Sequence, residues 1–194
     1  MRSAYRLIAS AVVLSLLQIG FLGWIIAGRA AILRNGTEVL LKVKPVDPRD
    51  LLRGDYVRLG YDISSIPANL ITNIPAGGVT DGNVAIYVRL RKEADGYWRA
   101  ASATLGQPPA AAPGSDEVDI KGFLDAGWSL RGDASVSPAF GIERFYLPEG
   151  EGLALQKDMR ERPFDARVAI GRDGTAQIKA LLDGDATLFE EPLY

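Results

Sequence analysis

Hydrophobic and polar positions divide this chain into two unlike parts. From Leu7 to Gly28 no charged residue occurs, and Ser10, Ser15 and Gln18 are its only notably polar side chains. Wound as a helix, that stretch is about 33 Å long at about 1.5 Å per residue, a match for a hydrocarbon layer of about 30 Å. Tyr5 and Trp24 stand near its two ends, where amphipathic rings favour a membrane interface, and Arg2, Arg6, Arg29 and Arg34 flank it. From about Glu38 onward apolar and polar residues alternate instead, the period of half-buried strands. Val84, Ile86, Val88 and Leu90 share one face and Tyr87, Arg89 and Arg91 the other; Asp95-Gly96 then turns the chain into Tyr97 to Leu105 as a hairpin. Val57, Leu59 and Tyr61 alternate with Tyr56, Arg58 and Gly60, and Val118, Ile120, Ile142, Phe145 and Tyr146 continue the rhythm. Asp173-Gly174 marks a second hairpin, between Arg167 to Ile170 and Ala176 to Leu182.

Two segments break the pattern. Pro148-Glu149-Gly150-Glu151 leads into Leu153, Leu155 and Met159 and stops at Pro163, with acids first and Lys157, Arg160 and Arg162 last, which suits a short amphipathic helix. Gln107 to Ser115, rich in proline and alanine, reads as a mobile loop within the domain. The fold expected is mainly β: one N-terminal transmembrane helix over 1–34, then a single antiparallel sheet or barrel-like domain over 35–194 with one short helix.

The apolar stretch has two competing readings. A cleaved signal peptide has a shorter apolar run and a small-x-small cleavage site, to which Gly28-Arg29-Ala30 is a poor match. A buried core helix of this length would be hard to cover. The positive-inside rule is nearly balanced, since Lys42 and Lys44 add to the C-terminal flank; the short segment before the helix, which needs no translocation if it stays cytoplasmic, favours a domain on the far side. Gly20 and Gly23 lack the spacing of a Gly-x-x-x-Gly pair, whereas Gln18 places an amide at mid-membrane, where it seeks a partner. Asn35-Gly36-Thr37 fits a glycosylation acceptor but is better used as a turn before the first strand.

Composition narrows the chemistry. The 194 residues carry a net charge of −2, so no basic field recruits nucleic acid. There is no cysteine and no histidine, which removes disulfides, thiolate sites, the commonest metal ligand and the commonest general base. No cofactor, metal ligand set or catalytic residue is called for by the sequence.

The most distinctive stretch runs from Pro45 to Tyr61 and reads as strand, proline-governed turn, strand. Within it Gly54-Asp55-Tyr56 is followed by Leu59 and Tyr61, and the chain resembles the GDYXXLXY family of bacterial membrane-anchored proteins; Phe140 to Gly152, with Glu143 and Arg144, also resembles that family. The resemblance implies a place at the bacterial inner membrane, a single pass with the C-terminal domain in the periplasm or another extracytoplasmic space, and a multi-pass membrane protein as partner class. It supplies no reaction. Read from residues alone, Pro48 and Gly54 preset a turn, Asp47 and Asp50 can bond local amides, Asp55 can pair with Arg53 or Arg58, and Tyr61 joins the core beside Leu59. Tyr56, on the opposite face, is available to Arg58 for cation–π stacking, and an inward-pointing Arg144 would need a carboxylate such as Asp55. Gly54, Asp55, Tyr56, Leu59, Tyr61, Glu143 and Arg144 are therefore the candidate site.

Three functions compete. The first is a non-catalytic interaction module, held in the bilayer by its helix and bound to a multi-pass protein. The second is a domain that binds a small molecule or envelope polymer, which a pocket of Tyr56, Tyr87, Trp98 and Trp128 would favour. The third is a carboxylate- or metal-dependent hydrolase built on Asp47, Asp50, Asp55, Glu143, Glu149 and Glu151, although these lack the spacing of known sites. A serine–lysine dyad of the signal-peptidase kind is disfavoured, because no lysine or serine stands in a recognisable context.

Overall fold

The computed structural model describes residues 2–45, 56–75, 79–80, 83–125, 128–129, 134–146 and 163–191. The Gly54-Asp55 pair and the helix expected between Pro148 and Pro163 lie outside these residues.

Helix α1 (Arg2–Asn35) continues past the apolar stretch to Asn35, the first residue of the expected domain. Its segment Ser10–Asn35 is long and apolar enough to cross a membrane, and none of its most apolar window is buried, so it is not a core helix. Anchor and signal sequence both fit that description. At Gly36 the N–H donates to the Ile32 carbonyl (2.8 Å), ending the helix. A Cβ there would stand 2.6 Å from that oxygen and 3.0 Å from the Ile170 carbonyl, so the chain can leave the helix this tightly only with glycine.

The domain is mainly β, as its alternation predicts. Its strands are β1 (Thr37–Pro45), β2 (Tyr56–Tyr61), β3 (Ile66–Pro67), β4 (Val79–Thr80), β5 (Val84–Lys92), β6 (Trp98–Leu105), β7 (Glu117–Leu124), β8 (Trp128–Ser129), β9 (Ser135–Val136), β10 (Arg144–Tyr146), β11 (Phe164–Ile170), β12 (Ala176–Asp183) and β13 (Ala186–Glu190). Six of them form one antiparallel sheet in the order β10-β2-β1-β11-β12-β13. Register shifts at Arg167/Val168 and Leu181/Leu182 mark the bulges that add curvature. The sheet curls into a half-barrel, bringing Phe145 of one edge strand to 6.4 Å from Phe189 of the other. A three-stranded sheet, β6-β5-β7, packs against it.

The core lies between the two sheets. Val39, Leu41 and Val43 of β1 join Ile86, Val88 and Leu90 of β5 and Ile120 and Leu124 of β7 in one apolar cluster. Both expected hairpins form, β5–β6 around Gly96 and β11–β12 around Gly174. The second turn also binds the other sheet, since Lys121 N–H donates to the Gly174 carbonyl (2.9 Å). Residues 106–114 are neither strand nor helix, yet Arg89 donates to the Ala111 carbonyl (2.6 Å) while forking onto Asp119 (2.8 Å to each oxygen), so a half-buried guanidinium ties that loop to the sheet.

Candidate functional site

Strand β2 carries the described part of the Gly-Asp-Tyr motif, and β10 carries the second block; they pair antiparallel, with Arg144 opposite Arg58, Phe145 opposite Val57 and Tyr146 opposite Tyr56. Alternation sends Val57, Leu59, Tyr61 and Phe145 inward. Tyr61 is buried, and its hydroxyl donates to the Ile142 carbonyl at 2.7 Å. The Leu59 N–H donates to the Glu143 carbonyl at 2.9 Å. The Glu143 carboxylate in turn accepts from the N–H groups of Phe140 (2.5 Å) and Gly141 (3.0 Å), bracing a turn in which Gly141 has φ +82°. Burial pushes the Tyr61 phenol far above its ordinary pKa, and the neighbouring Glu143 carboxylate adds to that rise. Tyr61 is thus a neutral strut between the two blocks.

The outward face of the same seam is different. Tyr146 is exposed, and its ring lies 5.9 Å from that of Tyr56. The guanidinium over the Tyr56 ring belongs to Arg144, at 5.6 Å, where Arg58 was expected. The register explains the exchange, because Arg144 sits diagonally across from Tyr56 on the neighbouring strand. Arg144 is exposed, so the inward arginine that would have required Asp55 does not occur. Of the seven candidate residues, Tyr56, Leu59, Tyr61, Glu143 and Arg144 meet along this seam; Gly54 and Asp55 lie outside the described residues.

Two adjoining clefts open beside it. One, of about 1110 Å³, runs between the end of α1 and the β11–β12 turn, with Trp24, Arg29, Ile32, Phe140, Arg172 and Asp173 among its walls. The other, of about 670 Å³, is lined by Arg29, Arg58, Arg144 and Tyr146 together with Asp125 and Glu191. Both share Arg29, Gly141, Ala176 and Gln177, so they form one continuous trough. The aromatic pocket expected of Tyr56, Tyr87 and Trp98 is not assembled: Trp98 is in the core, Tyr87 stands beside Lys121 (5.8 Å), and Tyr56 beside Tyr146. The Trp128 side chain lies outside the described residues. Among the described residues no group of three or more acids could hold a metal ion.

Sequence reading did not find the trough. Arg29 read as a flank of the apolar stretch and Asp173-Gly174 as a hairpin turn, and no local pattern reveals that the turn returns to the helix.

A half-barrel domain behind a bare apolar helix, with its Tyr-x-x-Leu-x-Tyr strand stitched to a second sequence block, defines a class of mainly β proteins with an N-terminal hydrophobic segment. The chain belongs to the GDYXXLXY family, whose model, described as GDYXXLXY protein, matches residues 18–181. That match begins inside α1 and ends in β12, so it takes in the seam and all of the trough but Glu191. No curated protein and no solved structure matches the chain.

Proposed function

We propose that the chain is a membrane-anchored, non-catalytic interaction module: α1 crosses the bilayer over 1–34, and the β domain over 35–194 stands outside the cytoplasm against a multi-pass membrane protein. The observation that carries this reading is the helix itself. The domain covers only its last turns, burying Ala30 and Leu33, and leaves Leu14, Leu17, Leu22 and Trp24 bare. An uncovered apolar surface of that length needs lipid or another helix around it. Gln18, at mid-span, supports a helix neighbour, because an amide in hydrocarbon gains most from a hydrogen-bonding partner. The absence of histidine and cysteine favours binding over catalysis.

The test is affinity purification of the tagged full chain from its own membranes in mild detergent. A multi-pass protein should co-purify in near-stoichiometric amount, and Gln18→Leu should reduce that yield severalfold. Elution of the chain alone, with its fold intact, would refute the module.

A second reading, a binding domain for a small molecule or an envelope polymer, is favoured by the exposed Arg144–Tyr56–Tyr146 cluster beside the smaller cleft. Thermal-shift titration with envelope-polymer fragments would reveal it, and Arg144→Ala should abolish the shift.

A further inference from the structure

We infer that the trough between the end of α1 and the β11–β12 turn seats the phosphate of a membrane glycerophospholipid, held by Arg29 and Arg172. The inference rests on α1 being a bilayer span. The uncharged stretch ends at Gly28, and at about 1.5 Å per residue Arg29 to Ile32 then occupy roughly the next 6 Å. The polar headgroup layer on each face is about 5–7 Å deep, half the difference between a hydrocarbon core of about 30 Å and a whole bilayer of about 40–45 Å. The helical wall of the trough therefore lies at phosphate height, with Trp24 about 7.5 Å before Arg29 on the hydrocarbon side.

The opposite wall brings a second cation to the same level. The β11–β12 turn packs against α1, with Ile32 Cγ1 only 3.2 Å from where a Cβ on Gly171 would stand, and Arg172 follows directly at the trough's edge. Arg29 and Arg172 are both exposed, and among the described residues neither is held in an ion pair. Among the described residues Asp173 is the one carboxylate lining the larger cleft, and it is turned onto its own turn, accepting from Thr175 N–H (3.1 Å) and Thr175 Oγ1 (2.7 Å); Asp125, Glu143 and Glu191 line the adjoining smaller cleft. The Ile32 carbonyl at the helix end is taken by Gly36 N–H, so it does not oppose an anion as a free acceptor. Two unpaired guanidinium groups facing one slot suit a phosphodiester, which accepts forked hydrogen bonds from arginine. The apolar floor of Trp24, Ile25 and Ile32 suits the glycerol and upper acyl chain of a lipid and offers nothing to a free phosphate ion.

The experiment is native mass spectrometry of the full-length chain in mild detergent with added phosphatidylglycerol. Arg29→Gln/Arg172→Gln should lower lipid occupancy about tenfold, through loss of charge-assisted bonds. The Arg29→Lys/Arg172→Lys pair should recover part of it, and Arg99→Gln, on a remote hairpin where Arg99 pairs with Asp95, should leave it unchanged. Equal occupancy in the glutamine pair, with an unchanged melting temperature, overturns the site. Displacement of the lipid by millimolar inorganic phosphate overturns the lipid assignment in favour of a free-anion site. Carbonate washing of membranes separates the two readings. A chain that washes off sinks the anchor and this site together, whereas a retained chain whose glutamine pair still binds lipid sinks only the site.

Discussion

Tyr61 and Arg144 stand on the two strands paired along the seam, and the structure gives them opposite roles. Tyr61 fills core space, and its hydroxyl is the partner of a buried carbonyl at Ile142, 81 residues away in sequence. Tyr61→Phe keeps the ring but strands that carbonyl, so it should cost about 1–3 kcal/mol in denaturant unfolding. Arg144→Ala removes an exposed guanidinium from the Tyr56 ring and should cost about 0.5–1 kcal/mol. Equal losses would mean that the seam is not organised by burial. Tyr61 also carries a pH signature. Its phenol is raised in the folded state, so the unfolded chain ionises first, from about pH 10 upward; the contribution is complete below pH 10 and is lost as pH climbs toward the folded value. Tyr61→Phe should therefore show a shallower alkaline loss of stability than the parent. Part of the slope should remain, because Tyr97, hydrogen-bonded to Asp165, is raised as well.

At the scale of elements, the two hairpin turns look alike in sequence and differ in their surroundings. Asp95-Gly96 and Asp173-Gly174 each place glycine at positive φ, +87° and +83°. Around Gly96 there is open space, whereas a Cβ on Gly174 would stand 2.9 Å from Lys121 Cβ and 3.0 Å from Lys121 N. Gly96→Ala should cost only the left-handed backbone penalty, about 1–2 kcal/mol. Gly174→Ala adds overpacking between the two sheets and should cost about 2–5 kcal/mol in the same unfolding measurement. Similar losses would show that the contact between β7 and the second turn carries little of the packing. This contrast also marks where sequence reading stops. Period-2 alternation placed Val57, Leu59 and Tyr61 on one face and Ile86, Val88 and Leu90 on another, and Asp-Gly pairs located both turns, because these are local properties of the chain. Strand order is not local. Nothing in Thr37–Pro45 says that it lies between Tyr56–Tyr61 and Phe164–Ile170, and so the alternation gave the faces without the half-barrel. The same limit hid the Arg144–Tyr56 contact, which only the cross-strand register creates.

For the whole molecule, the decisive joint is where the apolar helix becomes part of the domain. Residue composition suggested a boundary near 34, with helix and domain as separate parts. In the structure Leu33 is 3 % exposed and Ala30 is 7 % exposed, packed where α1 meets β11 and β12, while the helix before them is uncovered. The last turns of α1 thus pack against β11 and β12, and the preceding turns are left uncovered by the domain. Leu33→Ala should leave a cavity where α1 packs on β11 and β12 and cost about 2–5 kcal/mol, lowering the melting temperature of the detergent-solubilised full chain by roughly 5 °C or more. The same variant should remain in the membrane after carbonate washing, because a single shortened side chain beyond Gly28 removes nothing from the apolar span. A melting temperature equal to the parent's would show that helix and domain are independent, joined by Gly36 alone. The trough beside Arg29 would then have no fixed second wall, because the distance between Arg29 and Arg172 is set only by this packing.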